Sequence, residues 1–316
     1  MKRLFLILAL FFSVFAANSP IFAAHSPVLG PNIEYGMLGM AAPAGLRGAF
    51  VPQFNANIGF SWFEPLGTDT YGTWQPNKTR YIRFLGGAEL SPFYGTVRAG
   101  MGFAPLPYPF SILELRFIYA NENLLFSDVE MAMKPKPNEG PPIQETWNAG
   151  YIFDSFYNRS SYSQIQSFNT QLGGTYFGSH FDISLFIQFT LIDITSDYEK
   201  KSFDYMRGIP LYSRDYVAKI DLDFRNHFNE KFAWDLGFFG IFSGNQIKGS
   251  YDKEQLSYCI ISTGPLWMLN EGSSYISLNS GFFIRGKDGG FDDSIAERIL
   301  LSVEYKHYWD FKFGKE

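Results

Sequence analysis

The chain has 316 residues, and 26 Lys and Arg against 31 Asp and Glu leave a formal net charge of −5, which argues against a nucleic-acid-binding surface. Aromatic residues make up 19% and charged residues only 18%, a balance that suits a lipid-facing wall with aromatic girdles better than a water-soluble domain. A single cysteine, Cys259, excludes an internal disulfide framework.

Lys2 and Arg3 precede an apolar run from Leu4 to Phe15, the pattern of a signal peptide and too short for a membrane-spanning helix. Small residues place cleavage after Ala16 or near Ala23 and Ala24, so residues 1–24 are read as an export signal. Beyond it no apolar run approaches the ~18 residues that a membrane helix needs. Residues 25–49 are rich in Gly, Ala and Pro and show no clear strand. They read as a periplasmic lead-in, or as a plug threaded into a lumen. Residues 50–316 show no linker or shift in composition and form one domain.

That domain alternates. Phe54, Ala56, Ile58, Phe60 and Trp62 oppose Asn55, Asn57, Gly59 and Ser61. Ile82, Phe84 and Leu90 oppose Arg83 and Glu89, and Val97, Met101 and Phe103 oppose Thr96 and Arg98. Leu115, Phe117 and Tyr119 oppose Glu114 and Arg116; a weaker pattern over Leu125 to Met133 sets Val129 and Met131 against Asp128 and Glu130. The second half is cleaner, with strands in Phe168 to Tyr176, Asp182 to Leu191, Tyr216 to Arg225, Trp234 to Ser243, Leu256 to Leu266 and Ile276 to Ile284. Last comes Ile299 to Phe313, where Leu301, Val303, Tyr305, His307 and Trp309 oppose Ser302, Glu304, Lys306 and Asp310. A one-residue slip would turn Glu304 and Lys306 toward lipid, where a midplane Lys costs ~2–4 kcal/mol, so register is strongly fixed.

The fold class is therefore all-β, an antiparallel transmembrane barrel of twelve strands. Fourteen follow if Trp147 to Tyr157 supplies half of a further hairpin. Short connections at Ser91-Pro92, Asn121 to Asn123, Gly178 to His180, Phe228 to Glu230 and Asn270 to Ser273 are assigned to the periplasmic side. Longer ones, including 63–78, 104–109, 134–162 and 195–213, are assigned to the outside.

At the end of the last strand Tyr305, Trp309, Phe311 and Phe313 resemble the terminal-strand signal of Gram-negative outer-membrane β-barrel proteins, porin-like in architecture. That resemblance implies outer-membrane lipid around the wall and recognition of those four aromatics by the barrel-assembly machinery.

The inward set should include Arg83, Glu89, Arg98, Glu114, Arg116, Asp182, Lys219, Asp221, Asp223, Arg225, Asp235, Arg285, Glu304 and Lys306. With both signs present, these line either a weakly selective pore for small hydrophilic solutes or a lumen plugged by ion pairs. In the loop 134–162, Trp147, Tyr151, Phe153, Phe156 and Tyr157 carry too much apolar surface to stay in water. By resemblance to the third loop of general porins, they form a constriction. The rival readings are a closed-lumen structural or binding barrel, and a hydrophobic-compound transporter using residues 25–49 as a hatch. Four histidines, none in a long loop, give no catalytic constellation, and no metal or cofactor site is expected.

Overall fold

A sheet with one apolar and one polar face has two edges of unpaired backbone groups, and in lipid these are satisfied only when the sheet closes on itself. The computed structural model describes residues 30–41, 54–68, 77–91, 94–125, 162–196, 201–204, 207, 209–243, 257–270, 273–284 and 299–310. Its strands are β1 (Gly30–Ala41), β2 (Phe54–Pro65), β3 (Tyr81–Leu90), β4 (Tyr94–Ala104), β5 (Glu114–Leu124), β6 (Ser163–Phe177) and β7 (Phe181–Ser196). Then follow β8 (Lys201–Asp204), β9 (Ile209–Tyr212), β10 (Asp215–Asn229), β11 (Phe232–Ser243), β12 (Ser257–Leu269), β13 (Ser274–Ile284) and β14 (Ile299–Asp310). Twelve of them form a closed antiparallel barrel in the order β1-β14-β13-β12-β11-β10-β7-β6-β5-β4-β3-β2. The remaining two, β8 and β9, pair only with each other.

The predicted count of twelve holds, but one of its members is exchanged for another. Gly30–Ala41, read as lead-in or hatch, is instead wall: it pairs with β14 from Asn32↔Asp310 to Ala41↔Leu301 and with β2 on its other side. The predicted strand at Leu125 to Met133 has no place in the ring, because β5 pairs directly with β6 from Glu114↔Gly173 to Leu124↔Ser163. Residues 1–24, the rest of that strand beyond Leu125, and the possible hairpin at 147–157 lie outside the described residues.

Missing β1 inverted the direction of the next four strands. If the rim where β1 begins and β14 ends is called lower, the connections 66–80 and 105–113 both lie there, not outside. β3 ends and β4 begins at the upper rim, where β5, β7, β11 and β13 also end. Asn121 to Asn123, predicted as a turn, is strand paired to both β4 and β6. At the lower rim the Asn77 side chain bonds the main chain of Phe177 twice, at 2.7 Å each, and Ser111 Oγ donates to the Asn77 carbonyl. The two lower connections are thereby pinned beneath β6.

Candidate functional site

Strand parity sorts the side chains into two populations. Ile58, Phe60, Met101, Phe168, Leu185, Phe189, Trp234 and Val303 stand exposed on the outer wall. Among the described outward positions of the twelve strands, Asp, Glu, Lys or Arg occur only at Glu64, near the lower end of β2, and Asp193, near the upper end of β7. The inner face carries the charge: Glu34, Arg83, Glu89, Glu114, Arg116, Glu122, Lys219, Arg225 and Lys306 are all buried. An apolar exterior of this kind is stable only in contact with lipid. The protein is a transmembrane β-barrel of the outer-membrane type.

One consequence is directly measurable. Ile187, near the middle of β7, is 52% exposed on the outer wall. Ile187→Arg is expected to destabilise the folded barrel in vesicles by about 2–4 kcal/mol, read from its urea midpoint. An unchanged midpoint would contradict the assignment of that face to lipid.

The interior is organised in rows around the ring. Arg83 and Arg116 lie in register on either side of Gly102, on β3, β5 and β4. The Glu114 carboxylate lies over the bare glycine between them, 3.3 Å from Arg83 Nε and 2.7 Å from Arg116 Nη2. Any Cβ at position 102 would collide with Glu114, so the glycine is what gives the ion pair its room. Tyr81 donates to the same carboxylate at 3.2 Å, and the Arg116 guanidinium stacks 4.0 Å from the Phe186 ring centroid. The row continues as Gln171 and Gln188, the former donating to the latter at 2.7 Å. A cavity of about 30 Å³ under this cluster, bordered by Thr79, Ser111 and Thr175, has room for a water or two.

Across the lumen a second set sits on β7, β10, β11, β13 and β14. Lys219 pairs with Asp221 at 2.9 Å, and Arg225 forks onto Asp235 at 2.6 and 2.7 Å. Asp182 pairs with His227 Nε2 at 2.8 Å, and Glu304 takes Lys306 at 3.5 Å and the Tyr275 hydroxyl at 2.9 Å. Asp223 faces inward on the row between those of Asp221 and Arg225, and Arg98 faces inward from β4 between Gly87 and Ala120. Glu89 accepts from the Tyr94 hydroxyl at 2.5 Å. Each sequence-predicted inward charge within the described residues is thus on the inner face; Arg285 lies outside them.

The upper lumen is different in kind. There β6, β7, β10, β11 and β12 turn apolar residues inward, among them Ile165, Ile192, Ile194, Val217, Ile241 and Ile260, all buried, while β2 to β5 turn inward the buried Asn55, Glu89, Thr96 and Glu122. Inside this collar sits the β8–β9 hairpin, with Ser202, Asp204, Ile209 and Leu211 fully buried and Arg207 5% exposed. Arg207 pairs with Asp204 of its own hairpin and donates to Glu122 of β5 at 3.0 Å. Its main-chain oxygen accepts from the Tyr258 hydroxyl of β12 at 2.6 Å. β5 and β12 stand five places apart in a ring of twelve, almost opposite one another. The turn therefore bridges the lumen. The constriction residues expected in 134–162, Trp147, Tyr151, Phe153, Phe156 and Tyr157, lie outside the described residues, and the inserted element among the described ones is the hairpin two strands later.

One constellation with nucleophilic potential also escaped the sequence reading. Ser274 Oγ lies 2.6 Å from His307 Nδ1 on the outer wall at the lower rim, and Asn270 Nδ2 donates to that same oxygen at 3.1 Å. The serine is fully buried, and the imidazole packs between Tyr35 and Trp309 at 5.1 and 5.7 Å. The amide contacts the serine rather than orienting the imidazole, so the triad logic of base and orienter is not met. As it stands the trio fastens the β12–β13 turn to β14.

No family model and no curated protein matches the sequence. Solved structures share the barrel. An outer-membrane channel from Pseudomonas putida F1 is 9% identical over 92% of this chain and 100% of its own, with a TM-score of 0.47. The NanC porin is 9% identical over 88% and 99%, with a TM-score of 0.41. LpxR from Salmonella typhimurium is 8% identical over 89% and 100%, with a TM-score of 0.38. Similarity at this level concerns the fold and carries nothing about activity.

Proposed function

We propose that the protein is a channel of the Gram-negative outer membrane, passing small hydrophilic solutes by diffusion with weak ion selectivity. The observation that carries this reading is that wall side chains alone do not fill the upper lumen, which also holds a hairpin. An eight-stranded barrel is filled by its own side chains, and width grows with strand number. A twelve-stranded ring that accommodates two further strands has, at their level, the bore for a small solute once the hairpin has left. Weak selectivity follows from inner-wall charges of both signs. Contact of the outer wall with outer-membrane lipid, and reading of Tyr305, Trp309, Phe311 and Phe313 by the assembly machinery, belong to the same proposal.

A closed-lumen barrel is the second reading, favoured by the pairing of the inward charges just described. Reversal potentials in a salt gradient separate the two. Asp221→Lys is expected to move the reversal potential toward anion preference, because it replaces an acid on the inner wall by a base. A conducting protein whose selectivity ignores this change has a path that avoids Asp221.

A further inference from the structure

We propose that the β8–β9 hairpin is a gate, seated in the upper lumen at rest and latched by Arg207, and that it leaves the lumen to open the channel. The inference rests on the channel reading above. The hairpin takes no part in the wall: β7 pairs directly with β10 from Asp215↔Ile192 to Asn226↔Phe181, so its departure breaks no ladder of the barrel. Its main-chain pairs run only between its own two strands, from Lys201↔Tyr212 to Asp204↔Ile209, and travel with it.

Among the described residues, the polar fastening lies in one turn. Arg207 reaches Glu122 on one side of the lumen, and its carbonyl takes the Tyr258 hydroxyl on the other. Asp204 accepts from both the main-chain N–H and the guanidinium of Arg207, so an ion pair of zero net charge leaves with the hairpin. This lowers the electrostatic cost of withdrawing the turn, since Asp204 and Arg207 leave as a pair and neither is carried as a lone charge. Glu122 stays on the wall near Glu89, which Thr96 of β4 separates from it in the same row, and water entering the vacated space solvates both. The open upper mouth is then acidic and favours cations.

The test uses the full chain with Cys259→Ser, Glu122→Cys and Arg207→Cys, refolded into planar bilayers, before and after joining the two thiols with a short bifunctional, reductively cleavable methanethiosulfonate. Heat-modifiable migration verifies that each form is folded. The unlinked variant lacks the latch and is expected to be open about tenfold more of the time than the wild type, a shift of about 1.4 kcal/mol in the gating equilibrium. Linkage is expected to abolish the current, and reduction to restore it. A variant with residues 201–212 replaced by a short Gly-Ser link should conduct without closing. Current that is unchanged by linkage would overturn the gate and leave the channel standing. No current from either the unlinked pair or the hairpin-less variant would overturn both.

Discussion

Glu114→Ala is expected to destabilise the barrel by about 3–5 kcal/mol, the cost of breaking a buried ion pair from one side. Glu114 lies between Arg83 and Arg116, all three are buried, and its removal sets two guanidiniums facing one another across Gly102. The same substitution in a water-filled lumen would cost no more than about 1 kcal/mol, since solvent screens an exposed pair. The urea midpoint of the refolded barrel in vesicles distinguishes the two. A loss near the larger figure means that water is kept from this cluster, which lies against one side of the wall on β3 to β5; a negligible loss would mean that water reaches it. Gly102→Leu should act in the same direction, because its side chain would claim the space that the carboxylate occupies.

The second large effect concerns the hairpin. Ile209→Asp with Leu211→Asp should unseat it while leaving the wall intact. Each native side chain is fully buried within the collar and contributes roughly 1.5–3 kcal/mol of burial. Losing both shifts the seated–unseated equilibrium by about 3–6 kcal/mol, or on the order of a hundred- to ten-thousandfold. Trypsin supplied from the upper side should then cleave after Arg207, which is shielded in the native arrangement. Heat-modifiable migration should be unaffected. Equal cleavage of the wild type and the variant would contradict an inserted hairpin.

The ring and its orientation were largely legible in the sequence, because lipid penalises an outward charge so heavily that alternation reveals which face is which. The charges Arg83, Glu114, Lys219, Arg225 and Lys306 were assigned inward on that ground, and they are inward. β1 escaped because its alternation is diluted: Gly36 and Gly39 carry no side chain, and Leu38 faces inward. Gly59 hides a further signal, since its missing Cβ is what lets the Glu34 side chain lie across β2. The strand expected at 125–133 has no place in the ring and compensated in the count for the missing one, so a correct total concealed inverted connections at the first four strands. Which charge pairs with which was not legible, since Arg83, Gly102 and Arg116 become neighbours only through the register of three strands. The hairpin was invisible for a different reason. Its strands, Lys201–Asp204 and Ile209–Tyr212, are too short to display a period, and their burial comes from a collar built by distant strands.

Channel function in this barrel requires a bore that the hairpin occludes and that would otherwise conduct. Its most direct test is single-channel recording at high salt of the refolded full-length protein beside the version with residues 201–212 replaced by a short Gly-Ser link. Infrequent steps are expected from the full-length protein and sustained, larger ones from the shortened version. Silence from both, with each shown to be folded, would contradict the channel and leave a barrel closed by its own wall.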